Sequence, residues 1–149
     1  MGATEAARST PNRRMSPRTG EVVAIEVAHP VMELFDTVHV ALERAIQGSA
    51  VRHEALAENI ANVNTPGYRR QDVDFHSALQ AAMPGGAAAI AATPIEASVD
   101  SAAPMRPDGN SVDIDAEAAN LAQNALEYEA LAQVLKVRGN ILEIALGTR

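Results

Sequence analysis

The sequence runs to 149 residues, the size of one domain, and its 19 acidic against 12 basic residues leave a net charge of −7. Arginines are scattered and Lys136 is the only lysine, which speaks against nucleic acid as a partner, because its binders carry a clustered basic surface. Cysteine is absent, which excludes disulfides, thiolate metal sites and cysteine nucleophiles. Aromatics are 3% against 47% hydrophobic residues, a mixture that suits close-packed helices better than a β-sandwich.

Residues 1–31 are rich in Arg, Thr, Ser and Pro with no sustained period, and read as a disordered tail or as residues upstream of the true start. Arg13-Arg14 invites comparison with an export signal, but the following apolar run, Val22 to Ile25, is broken by Glu26, so no cleavable signal is expected. A long helix is predicted from about Met32. Phe35, Val38, Leu42, Ala45, Ser49, His53, Leu56, Ile60 and Val63 recur every three or four residues, a heptad seam with one slip. Over residues 33–62 that helix would extend about 45 Å. It should end at the Asn62-Val63-Asn64-Thr65-Pro66-Gly67-Tyr68 stretch, closing residues 32–68 as one unit. Pro66 pushes Thr65 out of the helical region, and Pro66-Gly67 fits the two central positions of a type II turn.

Residues 69–112 are predicted to be an extended segment and an Ala/Gly/Pro-rich, acidic and flexible linker, with a short helix over 75–83. The last segment, 113–149, is predicted as a second long helix. Asp113 is its expected N-cap, with Asp115 and Glu117 facing the positive end of the helix dipole. Ala118, Leu121, Ala125, Tyr128, Ala132, Leu135, Gly139, Leu142 and Leu146 make an unbroken heptad seam. Leu42, Leu56 and Ile60 are expected to meet Leu121, Tyr128, Leu135 and Leu142 across the two helices. Val134, Val137, Ile141 and Ile144 form a second apolar stripe, and a helix apolar on two sides is normally covered on both. The linker folding back or other subunits would cover it; the linker's composition favours subunits, so these four are the candidate subunit interface. The fold expected is mainly α: two long terminal helices in an antiparallel coiled-coil-like hairpin, joined by the linker and completed by packing in a helical assembly.

No catalytic, cofactor or metal site is legible. His53-Glu54 lacks the second histidine of a zinc motif, and His53 reads as a half-buried packing residue. Asp72, Asp74 and His76 alternate, which would place them on one face of a strand, but three such residues in an acidic segment are normally just solvated. The carboxylate pairs Glu127/Glu129 and Asp113/Asp115 have no cleft to raise a pKa. An enzyme is not expected.

The stretch Ala57 to Arg69 resembles the N-terminal signature of the flagellar rod and hook axial proteins. Asn59, Asn62, Thr65, Pro66, Gly67 and Tyr68 all fall on its pattern. A Pro-Gly turn alone would not explain two asparagines three apart in the last helical turns, where asparagine is a poor helix former. Arg70 to Phe75, and Asn110 to Asp115 followed by Leu121 to Asn124 and Tyr128, resemble the FlgB branch of that family. The resemblance implies a structural component of the flagellar basal body, part of the proximal rod, needed for flagellum assembly and motility. It implies no cofactor and delivery to the periplasmic rod through the flagellar type III export apparatus without a cleaved signal. The partners implied are FliE at the MS-ring junction and rod subunits of the FlgC, FlgF and FlgG type, with no small-molecule substrate. The alternatives left open are another rod subunit, FlgC-like, and a cytoplasmic helical adaptor or chaperone.

Overall fold

The computed structural model describes residues 19–147, with side chains described at residue 33 and from Phe35 onward. The chain is mainly helical. Helix α1 (Thr19–Ala61) is followed by strand β1 (Gln71–Asp72), helix α2 (Phe75–Ala82), a 3₁₀ turn (Met83–Gly85), helix α3 (Gly86–Ala91), strand β2 (Ser98–Val99) and helix α4 (Ile114–Ala145). Residues 1–18, most of the expected N-terminal tail, lie outside the described residues. From Thr19 the chain is already helical, ahead of the Met32 start expected from periodicity. Apolar spacing marks which face of a helix is buried, not where the helix begins.

Residues 69–112 are more structured than a solvated linker. The two short strands pair antiparallel, Gln71 opposite Val99 and Asp72 opposite Ser98. Asp74 caps α2 by accepting the Ser77 N–H. Phe75, Leu79 and Ile90 are buried with Val73 against Ala55, and Val40, Ala41, Ala45 and Val51 of α1 pack around them. The alanines that suggested low complexity let α2 and α3 lie close on α1, so three bulky residues suffice as anchors. Gly48 permits the closest approach: a Cβ there would stand 2.4 Å from Phe75 Cγ. On the edge of this cluster Arg44 donates to the Thr93 carbonyl and to Gln47.

Helix α4 lies on another side of α1. Cross-helix partners run in opposite order along the two helices: Asn59 meets Glu117, Ser49 meets Asn124, and Arg138 meets Phe35. Toward the carboxyl end of α4 the two helices border an apolar groove of about 540 Å³, lined by Phe35, Val38 and Leu42 from α1 and by Val134, Val137 and Ile141 from α4. No helix among the described residues is long and apolar enough to cross a membrane.

Candidate functional site

The residues that follow α1 build a turn held by side chains from both directions. Gly67 has φ of 75°, and the Tyr68 N–H donates to the Thr65 carbonyl at 3.2 Å, closing the tight turn. Positive φ at this position is what glycine supplies without steric cost. Asn62 stitches the turn to the helix, its Nδ2 donating to the Glu58 carbonyl and its Oδ1 accepting from Thr65 Oγ1.

The loop before α4 closes over this turn. Asn110, fully buried, donates from one amide nitrogen toward the carbonyls of Asn62, Val63 and Thr65, at 3.0, 3.2 and 2.8 Å. The Asn62 and Thr65 carbonyls also accept within the turn, from the Thr65 and Tyr68 N–H groups, so Asn110 adds a second donor to a turn that is already closed. Its Oδ1 accepts the Val112 N–H at 2.7 Å. The Gly67 N–H donates to the Asp108 carbonyl and the Ser111 N–H to the Tyr68 carbonyl, so the two loops exchange backbone bonds. They meet at their glycines: a Cβ on Gly109 would lie 3.3 Å from Gly67 Cα.

Asn59 is the hub beneath the turn. It is completely buried and all of its polar capacity is used. Its Nδ2 donates to the Gln71 carbonyl and to Glu117 Oε2, while its Oδ1 accepts the Gln71 N–H and the Tyr68 hydroxyl. One side chain thus joins α1, the turn, β1 and the first turn of α4. Asp113 caps that helix, its Oδ1 accepting from the Asp115 and Ala116 N–H groups.

The family model described as "Flagella basal body rod protein" matches residues 41–69, which take in the end of α1 and the whole turn. The chain is 36% identical to the flagellar basal body rod protein FlgB of Escherichia coli (strain K12) over 123 residues, covering 68% of this chain and 89% of that protein. The FlgB of Bacillus subtilis (strain 168) is 30% identical over 128 residues, covering 77% of this chain and 97% of that protein. The chain belongs to the FlgB family of flagellar basal body rod proteins.

Around the hub of this rod protein lies an ion-pair network. Arg70 donates from Nε to Glu117, from Nη1 to Asp100 at 2.7 Å and from Nη2 to Asp72 at 3.1 Å. Arg52 reaches the other oxygen of Asp72 at 3.0 Å. Glu117 is fully buried, so its charge depends on Arg70 and Asn59. Burial works against the Arg70 cation, but its bonds to Glu117 and Asp72 outweigh that and hold its pKa above the ordinary value. Burial likewise works against the Asp72 carboxylate. The Val73 N–H and the charges of Arg52 and Arg70 prevail and keep it below the usual carboxylate range. For Tyr68, burial and then the nearby Glu58 push the phenol up.

Six motif residues come together here: Asn59, Asn62, Thr65, Gly67 and Tyr68 through the bonds above, and Pro66 exposed at the tip of the turn. Of the helix positions expected to pack, Leu56 is fully buried and Leu42, Ile60, Leu121 and Leu135 are half-buried. Tyr128 and Leu142 are each 43% exposed. Val134, Val137, Ile141 and Ile144 are exposed, and no part of residues 69–112 lies over them in the groove. His53 is exposed beside Tyr128 rather than packed, because the face of α1 turned to α4 passes through Ser49 and Leu56. Asp72, Asp74 and His76 do not converge. Asp72 is held by the arginines, Asp74 caps α2, and His76 stacks on Phe75 with Nε2 beside Glu127. Sequence reasoning missed Glu117 as a buried partner and Asn124 as a cross-helix contact. The sequence marks Glu117 only as a first-turn charge and Asn124 only as part of a family-like stretch, and the position of α1 is what makes them interior.

Proposed function

We propose that this chain is a structural, non-catalytic component of the flagellar basal body, built into the proximal rod and needed for flagellum assembly and motility. The observation that carries the reading is the interlocked turn. The FlgB-family stretch of residues 57–69 is occupied by the chain's own 106–117 segment, so it works as a clasp joining the two terminal helices. Asn59, Asn62, Thr65, Pro66, Gly67 and Tyr68 serve that closure, and the hub's carboxylates are bound to arginines or amides rather than held ready for a proton transfer. The terminal helices then act as an antiparallel, coiled-coil-like hairpin. Leu42, Leu56, Ile60, Leu121, Leu135 and, less enclosed, Tyr128 and Leu142 are its apolar contacts. Val134, Val137, Ile141 and Ile144, which lie exposed on one long helix, are the surface offered to neighbouring subunits. Those neighbours are rod subunits of the FlgC, FlgF and FlgG type and FliE at the MS-ring junction. Delivery to the periplasmic rod is through the flagellar type III export apparatus, without a cleaved signal. A deletion strain complemented with an epitope-tagged chain tests this. The expected outcome is loss of flagella on deletion, recovery on complementation and the tag in purified basal bodies. Normal swimming of the deletion strain would overturn the reading.

A further inference from the structure

Helix α4 carries two apolar stripes, one through Leu135 and Leu142 and one through Val134 and Ile141, and hydrophobicity alone does not say which should face α1. Neither is centred on it. The side chains aimed at α1 lie between the stripes: Glu117, Asn124 and Arg138 each bond to it, with Leu131 completing the heptad spacing. Residues seven apart on a helix stand within about 20° of one another, so these form a single line. At its middle, Ser49 Oγ donates to Asn124 Oδ1 at 3.2 Å and Asn124 Nδ2 donates back to the Ser49 carbonyl at 2.9 Å. Ser49 is 0% and Asn124 1% exposed.

We propose that the Ser49–Asn124 pair, with Asn59–Glu117 behind it, sets the rotation of α4 about its own axis and so decides which apolar stripe the subunit keeps and which it turns outward. Rolling α4 to centre either stripe on α1 would carry Asn124 off Ser49 and draw Glu117 from Asn59 and Arg70. Buried polar groups would lose their partners, while the apolar contacts would be exchanged for equivalent ones. Sliding α4 by one heptad would set Asn124 against Leu42 or Leu56, with the same result. The polar pair therefore discriminates between arrangements that apolar packing leaves nearly equal, as a single buried asparagine does in a coiled coil. The Asn110 clasp does not do this, since it acts upstream of the first residue of α4. The consequence for assembly rests on Val134 and Ile141 being a subunit contact; the setting of the helix does not.

The chain has no cysteine, so one can be placed at Leu135 or at Val137 of the full-length protein and its maleimide labelling rate measured in solution. Position 135 is half-buried and Val137 is 56% exposed, so the second should label faster, by about tenfold where local opening limits access to the first. In a background of Ser49→Ala with Asn124→Leu, the two rates should converge to within about twofold with the urea midpoint unchanged or raised, since an apolar pair can replace a buried polar one without loss. An unchanged contrast would show that the Ser49–Asn124 pair does not choose the face of α4. Unfolding of the double variant would show that the pair supports stability rather than choosing a face, and either result overturns the proposal. Because labelling is read on the dissolved chain, its outcome is separate from whether the protein enters the rod.

Discussion

Gly67 combines positive φ with open space, since a Cβ there would meet nothing within 4 Å. Substitution is therefore penalised by backbone strain alone. Gly67→Val should lower stability by about 1–2 kcal/mol, the penalty of the left-handed region for an L-residue, read from urea denaturation. The same strain should break motility with expression intact. Gly48 is the opposite case, with space as the constraint: Gly48→Leu should displace Phe75 and cost about 1–3 kcal/mol through overpacking. Asp72 ties stability to pH. Its folded pKa is depressed, so its contribution is fully present above the ordinary carboxylate range and is lost as pH falls through the folded value. The stability gap between the native chain and Asp72→Asn should accordingly be greatest at neutral pH and close as pH drops below about 4, measured by denaturation across a pH series.

Helices α1 and α4 are joined by different chemistry at different levels. Near the turn the contact is polar and closed, through Asn59, Glu117 and Arg70; farther along it is apolar and open, through Phe35, Val38, Val134 and Ile141. Arg138 partly roofs the open end, its guanidinium 5.0 Å from the Phe35 ring centre. The clasp at Asn110 should consequently govern how firmly α4 is anchored. Asn110→Ala removes a donor to three carbonyls and the acceptor of the buried Val112 N–H, and should destabilise by about 1–3 kcal/mol, the penalty of leaving that N–H unsatisfied. Amide exchange should rise first at residues 65–68 and 113–117; exchange that rises equally throughout α4 would mean that Asn110 supports the whole helix.

Only seven hydrophobic residues of the described chain are buried, and five of them, Val73, Phe75, Leu79, Ile90 and Val112, lie in the segment between the long helices. Such a core places the isolated subunit at the low end of domain stability, about 5 kcal/mol, and leaves the far end of α4 exposed. Protection from exchange should be strongest around Ala55, Leu56 and Leu79 and weakest beyond residue 139, where every described side chain is exposed. Comparing Leu135→Glu with Val137→Glu tests the division of labour. A charge at the half-buried position 135 should lower the helicity of the soluble protein. A charge at the exposed position 137 should leave it folded but absent from purified basal bodies. Equal loss of helicity in both would count against a subunit contact at Val137.

What was legible in the residues was local. The turn at Pro66-Gly67, the cap at Asp113, the short helix near Phe75 and the mainly helical class all follow from backbone sterics and spacing, which act within a few residues. Membership of the rod family was legible too, through a motif whose two asparagines local propensity does not explain. Three features required the tertiary structure. The segment after the turn reads as a linker because alanine and glycine are silent about packing, and only its contact with α1 shows Ile90 enclosed. Nothing in the sequence marks Asn124 and Glu117 as interior, because polarity is normally exposed, and only the presence of Ser49, Asn59 and Arg70 makes their burial favourable. The contact line of α4 lies between its two apolar stripes for the same reason: periodicity counts apolar side chains on one helix, whereas the placement of buried hydrogen bonds depends on two.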